Sequence, residues 1–282
     1  MRIIRDIHEM QAAVRSAKVQ GMTISLVPTM GALHEGHLSL VRSARAQGTH
    51  VVVSIFVNPL QFGPTEDFNQ YPRTLEADCA RLEAEGVEIV FAPPTDQMYP
   101  AGATTVVHVE GLSEKLDGRS RPGHFKGVST IVAKLFHIVQ PDYAVFGQKD
   151  AAQVAVLRRM VRDLNMDVKV VVAPIVREAD GLALSSRNAY LTADQRRQAL
   201  VLYRALKRVE ADANSGESCA EKLKNAALSV LASEPAAVVD YVEIVDPETL
   251  DPVEEIGQGA LVAVAASFGP TRLIDNLLLP RR

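Results

Sequence analysis

Two histidines with a glutamate and a glycine between them follow a strand-like run, and they are the residues here best suited to chemistry. The segment reads Pro28-Thr29-Met30-Gly31-Ala32-Leu33-His34-Glu35-Gly36-His37. At a helix start, backbone N–H groups lack partners and the dipole favours negative charge, so this segment could bind a polyphosphate. His34 and His37 are three residues apart, so in a first helical turn they would project from one face and add side-chain donors. Gly36 would let a flat base lie against the backbone. The pattern is neither G-x-G-x-x-G nor G-x-x-x-x-G-K-[ST], which disfavours dinucleotide-binding and P-loop sites.

Alternating strands and helices must position this segment. Strand-like runs lie at 23–27 (ended by Pro28), 51–57, 87–91, 104–109, 143–146 and 168–172, with helices predicted at 38–47, 74–85, 127–139 and 151–164. Thr74 is expected to cap the second of these helices. Crossovers of this length require parallel strands, so we predict an α/β fold with a Rossmann-like, doubly wound parallel sheet. Ligands bind such sheets at the carboxyl ends of the strands, where the histidine segment lies.

The pattern changes after Val176. A turn at 178–181 precedes a long helix that Thr192 caps and that runs to about Asn214; a second helix follows Ser218. Three strands, at 238–245, 261–267 and 272–278, then follow without helices between them. This order predicts a smaller α+β domain, and we divide the chain into domains 1–175 and 176–282.

Composition excludes several classes of protein. The 282 residues carry a formal net charge of −4 and a pI near 6.0, which argues against a nucleic-acid partner. Cys79 and Cys219 are the only cysteines, and their separation favours two reduced thiols over a zinc or redox motif. The early charges of the N-terminus argue against a signal peptide, and the apolar runs are too short to span a membrane. We therefore expect a cytoplasmic protein.

The segment from Pro28 to His37 resembles the HxGH signature of the adenylate-forming nucleotidyltransferases, and its flanks resemble the pantoate–β-alanine ligase family. Four further blocks agree with that family in order and spacing: Phe56-Val57-Asn58-Pro59-Leu60-Gln61-Phe62, Arg121-Pro122-Gly123-His124-Phe125-Lys126-Gly127-Val128, Phe146-Gly147-Gln148-Lys149-Asp150 and Leu184-Ser185-Ser186-Arg187-Asn188. The set extends over essentially the whole chain.

The resemblance implies a two-step ligase reaction. The pantoate carboxylate attacks the α-phosphorus of ATP and releases pyrophosphate; the amine of β-alanine then attacks the pantoyl adenylate, giving pantothenate and AMP. Domain 1–175 would bind ATP and pantoate, and domain 176–282 would close over the active site. Mg²⁺ would be held mainly by the ATP phosphates, since no carboxylate group has metal-site spacing. The family also implies a homodimer.

Site residues are carried over by matching position. His37, His34 and Lys149 are the implied catalytic residues, with Lys149 on the phosphates and Asp150 on the ribose hydroxyls. Gln61 and Gln153 would clamp pantoate, with Asn58 and Tyr71 as further substrate-binding candidates. The full implied ATP site comprises Met30, Gly31, Ala32, Leu33, His34, Glu35, Gly36, His37, Gly147, Gln148, Lys149, Asp150, Val176, Leu184, Ser185, Ser186 and Arg187.

Two further segments contain residues that could bind phosphate or other anions. The turn at Ser185 to Arg187 resembles the counterpart of the KMSKS loop of class I aminoacyl-tRNA synthetases, but it lacks the lysine, so Lys149 would supply that charge. Leu184 stands where many relatives have methionine. A basic cluster in a glycine-containing loop either closes over anionic substrates or is simply solvated: Arg119, Arg121, His124 and Lys126.

Three alternatives stay open at this point. Another nucleotidyltransferase would leave AMP on its product; a class I aminoacyl-tRNA synthetase would need a KMSKS lysine and a basic extension; a non-catalytic protein would only bind ATP. His8, His50, His108 and His137 have no supporting constellation and are interpreted as structural.

Overall fold

Short runs of β-branched and aliphatic residues form a six-stranded sheet in the computed structural model, which describes residues 1–64, 66 and 68–281. Every pairing in it is parallel. The strand order is β1-β4-β3-β2-β5-β6. Runs such as 51–53 are fully buried, as a sheet covered on both faces requires. The strands are β1 (Arg2–Ile4), β2 (Ile24–Thr29), β3 (His50–Ile55), β4 (Ile89–Phe91), β5 (Tyr143–Gly147) and β6 (Lys169–Ala173).

Helices connect these strands. They are α1 (Ile7–Val19), α2 (Glu35–Gln47), α3 (Leu75–Ala84), α4 (Thr95–Met98), α5 (Asp117–Ser120), α6 (His124–Val139) and α7 (Ala151–Asp163). Single 3-10 turns lie at Pro59–Gln61, Leu112–Glu114, Gln148–Asp150 and Ser186–Tyr190. After β2 the chain passes through α2 to β3, and after β5 it passes through α7 to β6. In the strand order, β3 and β6 lie towards opposite edges of the sheet. Because β2 and β5 are neighbours, the carboxyl ends of these two strands form the switch point where ligands bind in such sheets.

Two helices and an antiparallel sheet follow. The helices are α8 (Ala193–Asn214) and α9 (Ala220–Leu231), and the sheet, in the order β7-β8-β9, contains β7 (Ala237–Val245), β8 (Ala260–Phe268) and β9 (Thr271–Leu279). Thr192 and Gln195 form a capping box at the start of α8, with reciprocal bonds of 3.2 and 3.0 Å. The apolar faces of α8 and α9 share a core with β8.

The chain divides into two units. Unit 1 comprises Met1–Glu114, Arg121–Gly147 and Val156–Ala173; unit 2 comprises Lys115–Ser120, Gln148–Ala155 and Pro174–Arg282. Unit 1 contains the parallel sheet and unit 2 the antiparallel one. The predicted fold class, a Rossmann-like parallel sheet followed by a smaller α+β part, is confirmed.

Four local predictions are wrong. Segment 104–109 forms no strand; the N–H of Val107 donates instead to the Thr130 hydroxyl, at 2.9 Å. Strand β2 does not end before Pro28 but continues to Thr29. Proline is tolerated there because pairing with β5 covers only residues 25 and 26, so no bond to β5 is lost. The Thr74 side chain makes no capping bond to α3, and α6 begins three residues before Gly127.

No helix within the described residues is both long enough and apolar enough to cross a bilayer.

Candidate active site

The turn between β2 and α2 is held by a buried aspartate of α3. Gly31 and Ala32 have φ values of 86° and 50°, a left-handed conformation that glycine adopts readily. Asp78, 2% exposed, accepts hydrogen bonds from the N–H groups of Ala32 (3.0 Å) and Leu33 (2.8 Å). A Cβ on Gly31 would lie 3.1 Å from the Asp78 carboxylate, so the glycine also makes room for this support. Arg81 donates to the Leu33 carbonyl.

The two histidines of the HxGH segment cap α2 reciprocally. His34 is the N-cap rather than a helical residue, with φ −132° and ψ 176°. Its Nδ1 accepts the Gly36 N–H at 3.1 Å, and the Nδ1 of His37 accepts the His34 N–H at 3.3 Å. The ring centroids are therefore only 4.1 Å apart. The rings come together as predicted, but through capping and not through a shared helical face.

This capping determines which ring nitrogen carries the proton. A neutral imidazole whose Nδ1 accepts a hydrogen bond is protonated on Nε2. In the neutral form, His34 and His37 therefore each carry the ring proton on Nε2 at the N-terminus of α2, where the helix dipole favours an anion. Glu35 lies between them in sequence, and its carboxylate is paired with Arg42 of the same helix, which offsets its negative charge.

Gln61 lies beside this segment and is supported by Asn58. The Gln61 amide donates to the Met30 sulfur (3.1 Å), and its oxygen accepts from the Asn58 amide (3.1 Å). Asn58 is fully buried and also donates to the Gly127 carbonyl at 3.1 Å. The Tyr99 hydroxyl donates to the Asn58 oxygen at 2.7 Å, and burial raises the pKa of Tyr99, so this hydroxyl stays protonated. Met30 and Gln61 are thus brought together, with Asn58 behind them.

Tyr71 is buried close to this turn. Its ring packs edge-on against that of Phe62, 5.9 Å between centroids, and its carbonyl accepts from Arg73 at 3.2 Å. Phe62 directly follows Gln61 in the chain, so Tyr71 helps to define the surroundings of Gln61.

Two of the four residues of the basic cluster, Arg121 and His124, are anchored by contacts within unit 1. Arg121 makes a bidentate ion pair with Glu66 at 2.8 and 2.6 Å, and His124 Nδ1 lies 2.8 Å from the Gln61 carbonyl. Burial alone would raise the pKa of Glu66, but the hydrogen bonds and charge of Arg121 outweigh it and leave this pKa lowered. Arg119 belongs to α5 in unit 2, and Lys126 is exposed on α6. The expectation of one loop bearing all four side chains is wrong.

In unit 2, a 3-10 turn carries the second group of candidate residues. Strand β5 ends at Gly147, and Gln148–Asp150 follows it directly. Lys149 Nζ lies 3.8 Å from the Asp150 carboxylate, so these two side chains form an ion pair within the turn. Gln153 is partly buried in the first turn of α7. Asn276 of β9 donates to the carbonyls of Gln148 (3.0 Å) and Lys149 (2.9 Å).

The segment from Val176 to Arg187 forms a hairpin-like connection. The Leu184 N–H donates to the Val176 carbonyl at 3.0 Å, which brings these two candidate residues together. Ser185 then caps the short turn Ser186–Tyr190 by accepting the Arg187 N–H at 3.3 Å. The turn therefore begins with a serine cap, which holds the backbone at Arg187.

Asp78 and Asn276 are site-supporting residues that the sequence did not reveal. Each is a buried polar residue far along the chain from the backbone that it holds. The signal that could have found them is a polar residue at a core position of an otherwise apolar helix face or strand, because a buried polar group requires a partner.

Among the residues that the structure describes, no group of three or more histidine, cysteine, aspartate or glutamate side chains could hold a metal ion. At the start of α2 the side chains of His34 and His37 are imidazoles, whose N–H groups can donate to phosphate oxygens.

Comparison with known proteins places the chain in a family. A family model described as "Pantoate-beta-alanine ligase" matches residues 2–278. The chain belongs to the pantoate–β-alanine ligase family. It is 65% identical over 279 residues to a pantothenate synthetase of Koribacter versatilis (strain Ellin345), covering 99% of this chain and 96% of that protein. Identity is 57% to the pantothenate synthetase of Thermotoga neapolitana, over 99% of this chain and all of that protein.

Solved structures agree with this membership. The pantothenate synthetase of Thermus thermophilus is 50% identical, with a TM-score of 0.94 over 98% of this chain and 99% of that one. A pantoate–β-alanine ligase of Francisella tularensis, complexed with "Beta-gamma ATP and Beta-alanine", is 33% identical with a TM-score of 0.81, over 99% and 97% of the two chains. The family and the ligase activity predicted from the sequence are confirmed.

Proposed function

We propose that this chain joins pantoate to β-alanine through a pantoyl adenylate, with the α2 N-terminus as the phosphate-binding element. The pantoate carboxylate attacks the α-phosphorus of ATP, the bond to the bridging oxygen breaks, and pyrophosphate leaves. The β-alanine amine then attacks the acyl carbon, loses a proton and expels AMP. In the first step negative charge develops on the departing pyrophosphate, so preorganised N–H donors there lower the barrier.

The reciprocal capping of His34 and His37 carries this proposal. Both Nδ1 atoms accept backbone N–H groups, which orients both rings and leaves Nε2 as the proton-bearing nitrogen of each neutral imidazole. His37 is assigned to the leaving phosphate and His34 to the phosphates beside it. Met30 to Leu33 and Gly36 contribute backbone to the same ATP site, and Glu35 lies at its edge.

Gln61 and Gln153 are assigned to pantoate. Neutral amides can bind a hydroxyl and a carboxylate without neutralising the oxygen that must attack. Asn58 is assigned a supporting role, because its amide is already committed to Gln61 and to a backbone carbonyl. Tyr71 shapes the same pocket by packing.

Unit 2 supplies the remaining assignments. Lys149 binds phosphate as a point charge, and Asp150 binds the ribose hydroxyls. Gly147 and Gln148 line the nucleotide beside them. Val176 and Leu184 offer backbone groups to adenine, while Ser185, Ser186 and Arg187 bind phosphate oxygens; a guanidinium is well suited to a bidentate contact of that kind.

Three further properties belong to the proposal. Mg²⁺ enters with ATP and is held mainly by phosphate oxygens. The protein is cytoplasmic, which accords with its need for ATP and with the free thiols of Cys79 and Cys219. It forms a homodimer, as its family resemblance implies; sedimentation at two concentrations would test this.

Pyrophosphate exchange tests the reaction. Exchange of labelled pyrophosphate into ATP should require pantoate and Mg²⁺ but not β-alanine, and adding β-alanine should release AMP. Exchange without pantoate, or AMP retained on the final product, would instead identify another kind of nucleotidyltransferase. ATP binding with no exchange at all would identify a non-catalytic protein.

Two variants of His37 test the assignment. His37→Ala should lower the exchange rate about 10²- to 10³-fold, as expected for loss of one preorganised donor. His37→Gln keeps an acceptor for the His34 N–H, as glutamine does in a capping box, so helix α2 should stay intact while exchange falls. His8→Ala, in an exposed part of α1, is the matched control. Near-normal exchange in both His37 variants would show that the helix start is misassigned.

A further inference from the structure

Strand β9 carries two adjacent buried polar residues that no catalytic assignment uses. Asp275 and Asn276 are each 3% exposed, within a strand whose other buried members include Leu273 and Leu279. Such groups cost free energy unless they are hydrogen-bonded. Strand β9 pairs with β8 alone in its sheet, and the Asn276 N–H donates to the Asp275 carboxylate at 2.8 Å instead of to a further strand.

The Asn276 side chain is committed entirely to the turn that carries Lys149. Its amide donates to the carbonyls of Gln148 at 3.0 Å and Lys149 at 2.9 Å, and its oxygen accepts from the Gln148 side chain at 3.0 Å. Three bonds from one rigid side chain fix both the position and the direction of this backbone. The side chain of Lys149, which is only 20% exposed, starts from a fixed point.

Asp275 holds the segment from Arg177 to Leu184, which carries further residues assigned to the nucleotide. It makes a bidentate pair with Arg177, at 2.6 and 2.9 Å, and Arg177 also donates to the Gly181 carbonyl at 3.0 Å. The guanidinium lies over the Tyr203 ring, 4.7 Å from its centroid. The Arg177 backbone also forms a β-bridge with Ala183, the residue before Leu184.

The geometry points to Asp275 and Asn276 as positioning residues that fix the Lys149 turn and the Arg177 segment relative to each other. Neighbouring residues of one strand cannot move independently, so both segments take their placement from β9. This inference rests on the proposed function, because it gives Lys149 and Leu184 a shared nucleotide to bind. A displacement of about 1 Å at a reacting group can cost roughly 10²-fold in rate.

Asn276→Asp is the sharpest perturbation. Aspartate keeps the size of the side chain but places an oxygen opposite two carbonyl oxygens, so the Lys149 turn must move away. Asn276→Ala removes the same bonds without adding charge and serves if the aspartate variant does not fold. The matched controls are Asn225→Asp and Asn225→Ala, on the exposed part of α9.

We expect Asn276→Asp to lower the rate of pantoate-dependent pyrophosphate exchange about 10²-fold, with a smaller change in the KM for pantoate. In a Lys149→Ala background the same change should lower exchange less than about threefold, because the residue that it positions is gone. Circular dichroism checks folding of each variant.

Two results would overturn the inference. One is normal exchange in folded Asn276→Asp and Asn276→Ala; the other is an equal loss with and without Lys149, which would indicate general damage to unit 2. Failure of the proposed function looks different, since the unaltered protein would then show no pantoate-dependent exchange.

Discussion

Replacing Asp78 with asparagine removes one acceptor from the carboxylate that holds the turn before α2. The carboxylate accepts from Leu33, Ala32 and the Thr74 hydroxyl at 2.8, 3.0 and 3.1 Å. Asparagine keeps one oxygen and presents an NH₂ group to the other backbone N–H. A buried N–H left without an acceptor costs about 1–3 kcal/mol. That loss should lower the midpoint of thermal unfolding by roughly 2–4 °C for each kcal/mol.

Activity should fall together with stability, because the same turn leads directly into His34. We expect kcat/KM for ATP to decrease about tenfold to a hundredfold in Asp78→Asn, measured by pyrophosphate exchange at varied ATP. Glu76→Gln removes a charge from an exposed position of the same helix and should change neither quantity. An unfolding midpoint and ATP dependence equal to those of the unaltered protein would refute the reasoning. A lower midpoint with unchanged ATP kinetics would show that Asp78 supports the fold but not the site.

Two further perturbations address the Gln61 turn. A Cβ on Gly127 would lie 2.3 Å from the Leu60 carbonyl and 2.6 Å from the Gln61 nitrogen, so Gly127→Ala should displace this turn and raise the KM for pantoate more than the KM for ATP. Gly257→Ala is the control, because the space around Gly257 is open. Equal KM values for pantoate in the two variants would contradict the assignment of Gln61. The lowered pKa of Glu66 predicts stability that is present above the usual value of 4.5 and is lost as pH falls through the lower folded-state pKa. Glu66→Gln should therefore flatten the dependence of the unfolding midpoint on pH below about 4.5, and an unchanged acid dependence would mean that the ion pair contributes nothing.

Features with local causes could be predicted from the sequence. Helix α8 was expected to begin after Thr192 and to end at about Asn214, and it spans Ala193–Asn214. A threonine cap, a glutamine three residues later and an apolar stripe all lie within one helix, so they indicate its bounds without reference to a distant contact. The three strands after Pro235 also lie where alternation and turns placed them.

The errors have non-local causes. Segment 104–109 has a strand-like composition, yet a strand exists only where another strand pairs with it, and Thr130 of α6 takes the Val107 N–H instead. Strand β2 continues through Pro28 because its pairing with β3 extends to Thr29, whereas its pairing with β5 ends at residue 26. The basic cluster was interpreted as one loop because nothing in the sequence indicates that Glu66 would pair with Arg121 across the fold.

In the candidate site, the residues assigned to ligands could be predicted from the sequence, whereas the residues that support them could not. Residues assigned to ligands, such as His34 and His37, lie at a helix start, where the chemistry of phosphate binding is local and leaves a short motif. The residues that hold such a segment in place come from elsewhere in the fold. A segment whose donors face a ligand cannot use the same donors to hold its own backbone. Asp78 lies on the buried stripe of α3 beside Cys79 and Leu82, and Asn276 lies within an apolar strand. A polar residue at a core position therefore predicts a backbone segment elsewhere in the fold that bonds to it, even where the sequence does not say which segment that is.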